Sequence, residues 1–364
     1  MNATAKLRDV GQSIWLDNIT RDLLKSGTLA KYINEWSVTG LTSNPTIFEH
    51  AFKNSALYDD SIQKKVREGK SDEPLFFDLA IEDLTAAADL FRPIYDKTNG
   101  LDGFVSLEVS PKLAFDTAAT IAAAKMLHAK ANRPNLYIKI PGTKEGLPAI
   151  EEAIFAGVPV NVTLLFSREQ YVAAAQAYLR GIERRIKAGL NPRVESVASV
   201  FISRWDGAVA GKVPANLTNQ LGLAIGLRIY KAYRDLLNSN PWQRICNYGA
   251  RPQRLLWAST GTKDPKASDI LYIKGLASPF TVNTMPEGTL KAFADHGELG
   301  EVIPGNGGNG EEMLAQFTKA GIDLDQLAAK LQTDGAASFV KSWESLMGGL
   351  AEKVRGGKTP AGVA

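Results

Sequence analysis

The chain reads as an α/β protein, a (β/α)8 barrel of the TIM type with extra helices inserted and at the carboxyl terminus. Three observations predict it. Strand-like runs recur near 13–17, 38–42, 104–109, 136–140, 159–163, 197–202, 254–258 and 280–284, with helix-patterned sequence after each, and that alternation is the mark of parallel βαβ units. Five of these runs turn polar late in the strand, as expected of a barrel whose function sits at the carboxyl ends. A chain of 364 residues with 45% hydrophobic content can bury one large core.

Taken in order, Ile14-Trp15-Leu16-Asp17 ends on Asp17, and Val38 to Asn44 ends on Thr42, Ser43 and Asn44. A long connection, about 45–103, carries Tyr58-Asp59-Asp60 and a helical pattern from Pro74 to Ile94, and reads as a helical insertion. Val105-Ser106-Leu107-Glu108 follows, and Ser110-Pro111 is expected to open the Ala-rich helix to about Ala131, as a cap with proline in the first turn. After Leu136-Tyr137-Ile138-Lys139-Ile140, Thr143 is expected to cap a helix that tolerates Pro148 in its opening turn and closes at Gly157. After Val160-Asn161-Val162-Thr163, Ser167 with Glu169-Gln170 starts a helix to about Lys187.

A second helical insertion, about 204–253, separates the sixth and seventh strands. Gly305-Asn306-Gly307-Gly308-Asn309-Gly310 reads as a mobile loop before a helix, because a phosphate loop needs a preceding strand and a lysine-serine pair. Helical sequence covers most of Asp323 to Leu350, with a break expected near Asp334-Gly335. Residues 1–350 are thus expected to form one catalytic barrel domain and 351–364 a flexible tail.

The net charge of +3 comes from 42 basic and 39 acidic residues that are well mixed, which argues against nucleic acid or a membrane surface as the main partner. The single cysteine, Cys246, rules out an intramolecular disulfide framework and a multi-thiolate zinc site; a packing role in a reducing compartment is expected of it. His50, His128 and His296 lack a metal-binding spacing, so no metal is expected. With no secretory or membrane-spanning stretch, the expected location is the cytoplasm. Oligomeric state is left between monomer and homodimer.

Lys139 is the most informative residue. It is a lone charge in an apolar strand, where alternation puts Leu136, Ile138 and Ile140 on one face and Tyr137 and Lys139 on the other. Free lysine, with a pKa of about 10.4, is almost fully protonated at neutral pH, and burial disfavours an ammonium ion. A buried lysine is therefore suited to attack a carbonyl and form a Schiff base. The alternative for it is a structural ion pair with Glu108 or Asp17 across the barrel. Those two carboxyls can divide the proton transfers that Schiff-base chemistry needs. Asn44, Asn161, Thr42 and Thr163 suit the hydroxyls of a polyol and a bridging water. Arg204 and Lys263, late in their strands, suit a phosphate; for Lys263 a surface pair with Asp264 is the rival role.

At these residues the sequence resembles the transaldolases. The matching segments are Trp15-Leu16-Asp17, Gly40-Leu41-Thr42-Ser43-Asn44-Pro45, Ser106-Leu107-Glu108, Ile138-Lys139-Ile140-Pro141-Gly142-Thr143, Asn161-Val162-Thr163-Leu164-Leu165-Phe166-Ser167 and Val282-Asn283-Thr284-Met285-Pro286. The resemblance implies transfer of a dihydroxyacetone unit from sedoheptulose 7-phosphate or fructose 6-phosphate to an aldose phosphate, without a cofactor. It makes Lys139 the Schiff-base lysine, Glu108 the acid/base through a water held by Thr163, and Asp17 the acceptor of the C4 hydroxyl proton. Asn44 and Asn161 would hold the three-carbon enamine, and Ser199, Arg204, Ser259 and Lys263 the phosphate, with lysine at 263 where an arginine is common. Two alternatives stand beside it: an aldolase releasing free dihydroxyacetone, and a non-catalytic sugar-phosphate-binding barrel.

Overall fold

A computed structural model describes residues 2–356. Eight parallel strands close into a barrel in sequence order: β1 Gln12–Asp17, β2 Val38–Thr42, β3 Val105–Glu108, β4 Leu136–Pro141, β5 Val160–Leu165, β6 Ser196–Phe201, β7 Arg254–Ala258 and β8 Thr281–Met285. Each expected strand is present within two residues of its expected bounds at either end. Helices cover the barrel, so its strands are buried almost throughout, as parallel sheets require.

Register aligns the polar strand ends. Asp17 pairs with Thr42, Glu108 with Lys139 and Lys139 with Asn161. One row across β3, β4 and β5 thus carries a carboxyl, an amine and an amide at the same height. At the opposite end Asp102 accepts from Trp15 Nε1 at 2.9 Å, Thr39 Oγ1 at 2.8 Å and its neighbour Gly103 N at 3.0 Å. Gly40 makes room for Trp15, because a Cβ there would come within 2.7 Å of the indole.

Local sequence explains several helix ends. Ser167 and Gln170 form a reciprocal capping box opening the helix Arg168–Lys187, and Gly157, at φ 88°, closes Gly146–Ala156 in the left-handed conformation. Thr143 Oγ1 accepts from Gly146 N at 3.0 Å, so it satisfies that helix start although Glu145 occupies the cap position. Ser167→Ala should lower stability by about 1 kcal/mol, the usual worth of a cap hydroxyl, as read from denaturant unfolding.

Several expectations are corrected. Ser110-Pro111 opens only a short 3₁₀ turn, Pro111–Leu113; the Ala-rich helix starts at Thr117, capped by Asp116, whose carboxylate accepts from Ala119 N at 2.9 Å. The last helix is unbroken from Leu324 to Gly356, because the bend expected at Gly335 is unnecessary where that glycine serves a close approach instead. Residues 351–356, expected in the tail, are therefore helical, and 357–364 lie outside the described residues. Cys246 is exposed: Trp242 and Ile245 take the buried face of the helix Asn240–Cys246, and the thiol falls one position past it. Among the described residues no helix is long and apolar enough to cross a membrane.

Candidate active site

The carboxyl ends of the strands open on a cavity of about 320 Å³, lined by Asp17, Thr42, Asn44, Lys139, Thr163, Ser199, Arg204, Ser259 and Lys263 among others. Nine of the eleven residues singled out from sequence therefore line one cavity. The other two, Glu108 and Asn161, sit buried beneath it.

Lys139 is 5% exposed and Glu108 4%. Lys139 Nζ donates to the Ser43 carbonyl at 3.0 Å and lies 3.1 Å from Glu108 Oε2. The ion pair anticipated for Lys139 is thus formed with Glu108, on the neighbouring strand instead of across the barrel. Its geometry is loose, for neither Glu108 oxygen receives a well-aimed hydrogen bond. Thr163 Oγ1 also lacks a partner. Buried polar groups normally have one, so the carboxyl and the hydroxyl have bonding capacity to spare for a water or a substrate oxygen.

Burial pushes the Glu108 carboxyl above its usual range, against the attraction of Lys139. Asp17 is raised for the same reason, opposed by Lys139, by the Thr42 hydroxyl and by Lys263; Thr42 Oγ1 donates to Asp17 Oδ1 at 2.7 Å. A carboxyl held up in this way can accept the proton that an amine must lose before attacking a carbonyl. Two acids with different surroundings, one in the floor and one in the wall, are the arrangement that divides acid and base work.

The amides and hydroxyls are placed by the barrel itself. Asn161 Nδ2 donates to Ser106 Oγ at 3.1 Å, and its Oδ1 accepts from Ser199 Oγ at 2.7 Å. Asn44 caps the helix Pro45–Asn54, its Oδ1 accepting from Ile47 N at 3.1 Å, which leaves its amide hydrogens for the cavity.

Arg204 is half-buried, and among the described residues it has neither a carboxylate nor a hydrogen-bond partner. Aromatic faces hold it, with the guanidinium carbon 5.2 Å from the Phe201 ring and 5.8 Å from that of Phe339. Burial pulls its pKa below the ordinary value. An unneutralised guanidinium with all its donors free is a strong anion site. Ser259, at φ 55°, shares a 2.9 Å hydrogen bond with Ser203. Lys263 forms no pair with Asp264, whose carboxylate is taken by Asn219 Nδ2 at 2.8 Å and Lys266 N at 2.9 Å. Among the described residues no cluster of His, Cys, Asp and Glu could hold a metal ion.

Sequence reasoning missed several lining residues. Thr284, hydrogen-bonded to Thr42 at 2.6 Å, was legible from alternation in β8. His50 and Thr46 follow from the helix that Asn44 caps, whose first turns face the cavity. Phe339 comes from the last helix, and no local signal in that helix shows which strand ends it covers.

Comparison with known proteins supplies the family. Residues 14–350 match the family model described as transaldolase/fructose-6-phosphate aldolase. The chain is similar to transaldolase 2 of Nostoc punctiforme, 40% identical over 97% of this chain and 98% of that one. It is likewise similar to transaldolases of Thermobifida fusca, 42% identical over 96% and 97% of the two chains, and of Thiobacillus denitrificans, 41% identical over 95% and 99%. A match of this extent, on a closed barrel, leaves one family: the chain belongs to the transaldolase/fructose-6-phosphate aldolase family.

Proposed function

We propose that the protein is a transaldolase, moving a dihydroxyacetone unit from a ketose phosphate to an aldose phosphate through a Schiff base on Lys139. The observation that carries this reading is the row of Glu108, Lys139 and Asn161, whose lysine lines a cavity that also holds Asp17 and an unneutralised arginine.

The Lys139 amine adds to the C2 carbonyl of sedoheptulose 7-phosphate or fructose 6-phosphate, giving a carbinolamine. Glu108, through a water on Thr163, protonates the departing hydroxyl, and water leaves as the Schiff base forms. Asp17 then takes the C4 hydroxyl proton, the C3–C4 bond breaks, and its electron pair passes into an enamine while an aldose phosphate departs. Asn44 and Asn161 hold that enamine until glyceraldehyde 3-phosphate or erythrose 4-phosphate accepts it. The reverse steps release the new ketose and free Lys139. Arg204, with Ser199, Ser259 and Lys263, holds the phosphate; neither metal nor organic cofactor has a step to perform.

Arg204→Gln should raise KM for fructose 6-phosphate about 10- to 100-fold with kcat little changed, the loss of one or two charge-assisted hydrogen bonds. Preference for the phosphorylated over the unphosphorylated donor should fall with it, as steady-state kinetics on both sugars would read.

The aldolase reading differs only in the fate of the enamine. Fructose 6-phosphate should be supplied with and without erythrose 4-phosphate, and products measured by mass. Sedoheptulose 7-phosphate formed only with the acceptor, and little free dihydroxyacetone without it, is the expected outcome. Steady release of dihydroxyacetone without acceptor overturns transfer in favour of simple cleavage.

A further inference from the structure

The last helix, Leu324–Gly356, places Gln332, Gly335 and Phe339 on one face by spacings of three and four, and each meets the site at a different point. Phe339 lies against Arg204 and lines the cavity. At Gly335 a Cβ would come within 3.0 Å of Leu164 Cδ2 and 3.4 Å of Arg204 Nη1, so the glycine marks a close approach of the helix to both. Gln332 Nε2 donates to two carbonyls at once, Gly142 at 3.0 Å and Leu164 at 2.9 Å.

Those carbonyls lie at the ends of β4 and β5, the strands carrying Lys139 and carrying Asn161 with Thr163. Leu164 is in the left-handed conformation at φ 60°, unfavourable for leucine, and the β5–β6 register shifts between Val162 and Leu165. Gly142 N donates to the Thr163 carbonyl at 2.7 Å. The strained turn is therefore gripped on both sides, by Gly142 from β4 and by Gln332 from a helix some 170 residues further along the chain. Strain at a site persists only where its surroundings over-determine it.

Resting on the transaldolase reading, we propose that Gln332 is a positioning residue of the reaction. Its amide clamps the ends of β4 and β5 in the geometry that sets Thr163 and Lys139 on one wall. The same clamp fixes the seating of the helix that brings Phe339 onto Arg204.

The test compares the parent with Gln332→Glu, which keeps the shape but loses both donors, and Gln332→Met, which avoids an added charge. Thr333→Ala, at an exposed neighbour, is the control. Each is given fructose 6-phosphate and borohydride; the rate and end-point of adduct formation are read by intact mass, with KM, kcat and thermal unfolding alongside. Both Gln332 variants should form the adduct about tenfold or more slowly, in line with the effect of small misplacements. They should still reach the parent's end-point, with KM within about threefold because the phosphate cation is retained; Thr333→Ala should match the parent. Parental rates per folded chain in both variants overturn the proposal, as does a loss that tracks the unfolded fraction alone. A parent that forms no adduct removes the transaldolase reading and this proposal with it, a result distinct from either.

Discussion

Lys139→Ala should abolish transfer while leaving the barrel folded. Activity should fall by more than about 1,000-fold, the scale on which loss of a covalent nucleophile is felt, because among the described residues Lys139 is the amine that lies against the Glu108 carboxyl. The fold tolerates the change for a physical reason. Glu108 loses its partner cation, but burial already pushes that carboxyl towards its neutral form, so it can take a proton and remain uncharged. The alanine also leaves its space next to an open cavity instead of a closed core. Circular dichroism and thermal unfolding check the fold, and a coupled transfer assay the activity. Turnover near the parent's level in a folded variant would remove Lys139 from the mechanism.

Glu108→Gln should lower kcat by about 100- to 10,000-fold, the contribution of a positioned general acid or base, with a much smaller effect on substrate affinity because Glu108 lies beneath the cavity wall. Its stability should change with pH in a defined direction. A carboxyl raised in the folded state from its usual 4.5 binds a proton more tightly folded than unfolded. The stability this contributes is fully present below the unfolded value and is lost as pH rises through the folded one. The amide does not titrate, so the variant should gain stability relative to the parent as pH rises above the usual carboxyl value of 4.5, as urea unfolding below and above it would show. The opposite slope would mean that attraction to Lys139 outweighs the desolvation of Glu108.

What could be read from the sequence, and what could not, divides along physical lines. Strand positions were legible because alternation of polar and apolar residues is a local property of a pleated chain, as in Val105–Glu108 and Val160–Leu165. Lys139 stood out because a lone charge among Tyr137, Ile138 and Ile140 is unusual in a buried strand. Register was not, since the Glu108–Lys139–Asn161 row depends on how neighbouring strands slide. The Ser110 cap failed because Asp116, a few residues on, offers an equally good side chain once Pro111–Leu113 has turned the chain.

The roof of the site was hidden for a different reason. Gly335 reads locally as a helix breaker, yet it serves contact with Leu164 and Arg204, residues far away in sequence. The apparent weakness in helix propensity coincides with a close approach, visible only when the helix is seen across the barrel mouth. Arg204 shows the converse. Its cationic character was plain in the sequence, but its lack of a counter-ion among the described residues, which suits it to an anion, emerges only with the aromatic faces of Phe201 and Phe339 around it.

The most direct measurement is to incubate the protein with fructose 6-phosphate, reduce with borohydride, and determine intact and peptide masses. A three-carbon adduct on the peptide carrying Lys139 is the expected result, since it requires both a Schiff base and cleavage of the donor. No adduct under conditions where fructose 6-phosphate demonstrably binds would contradict the account, leaving a sugar-phosphate-binding barrel whose lysine is held in a structural pair with Glu108.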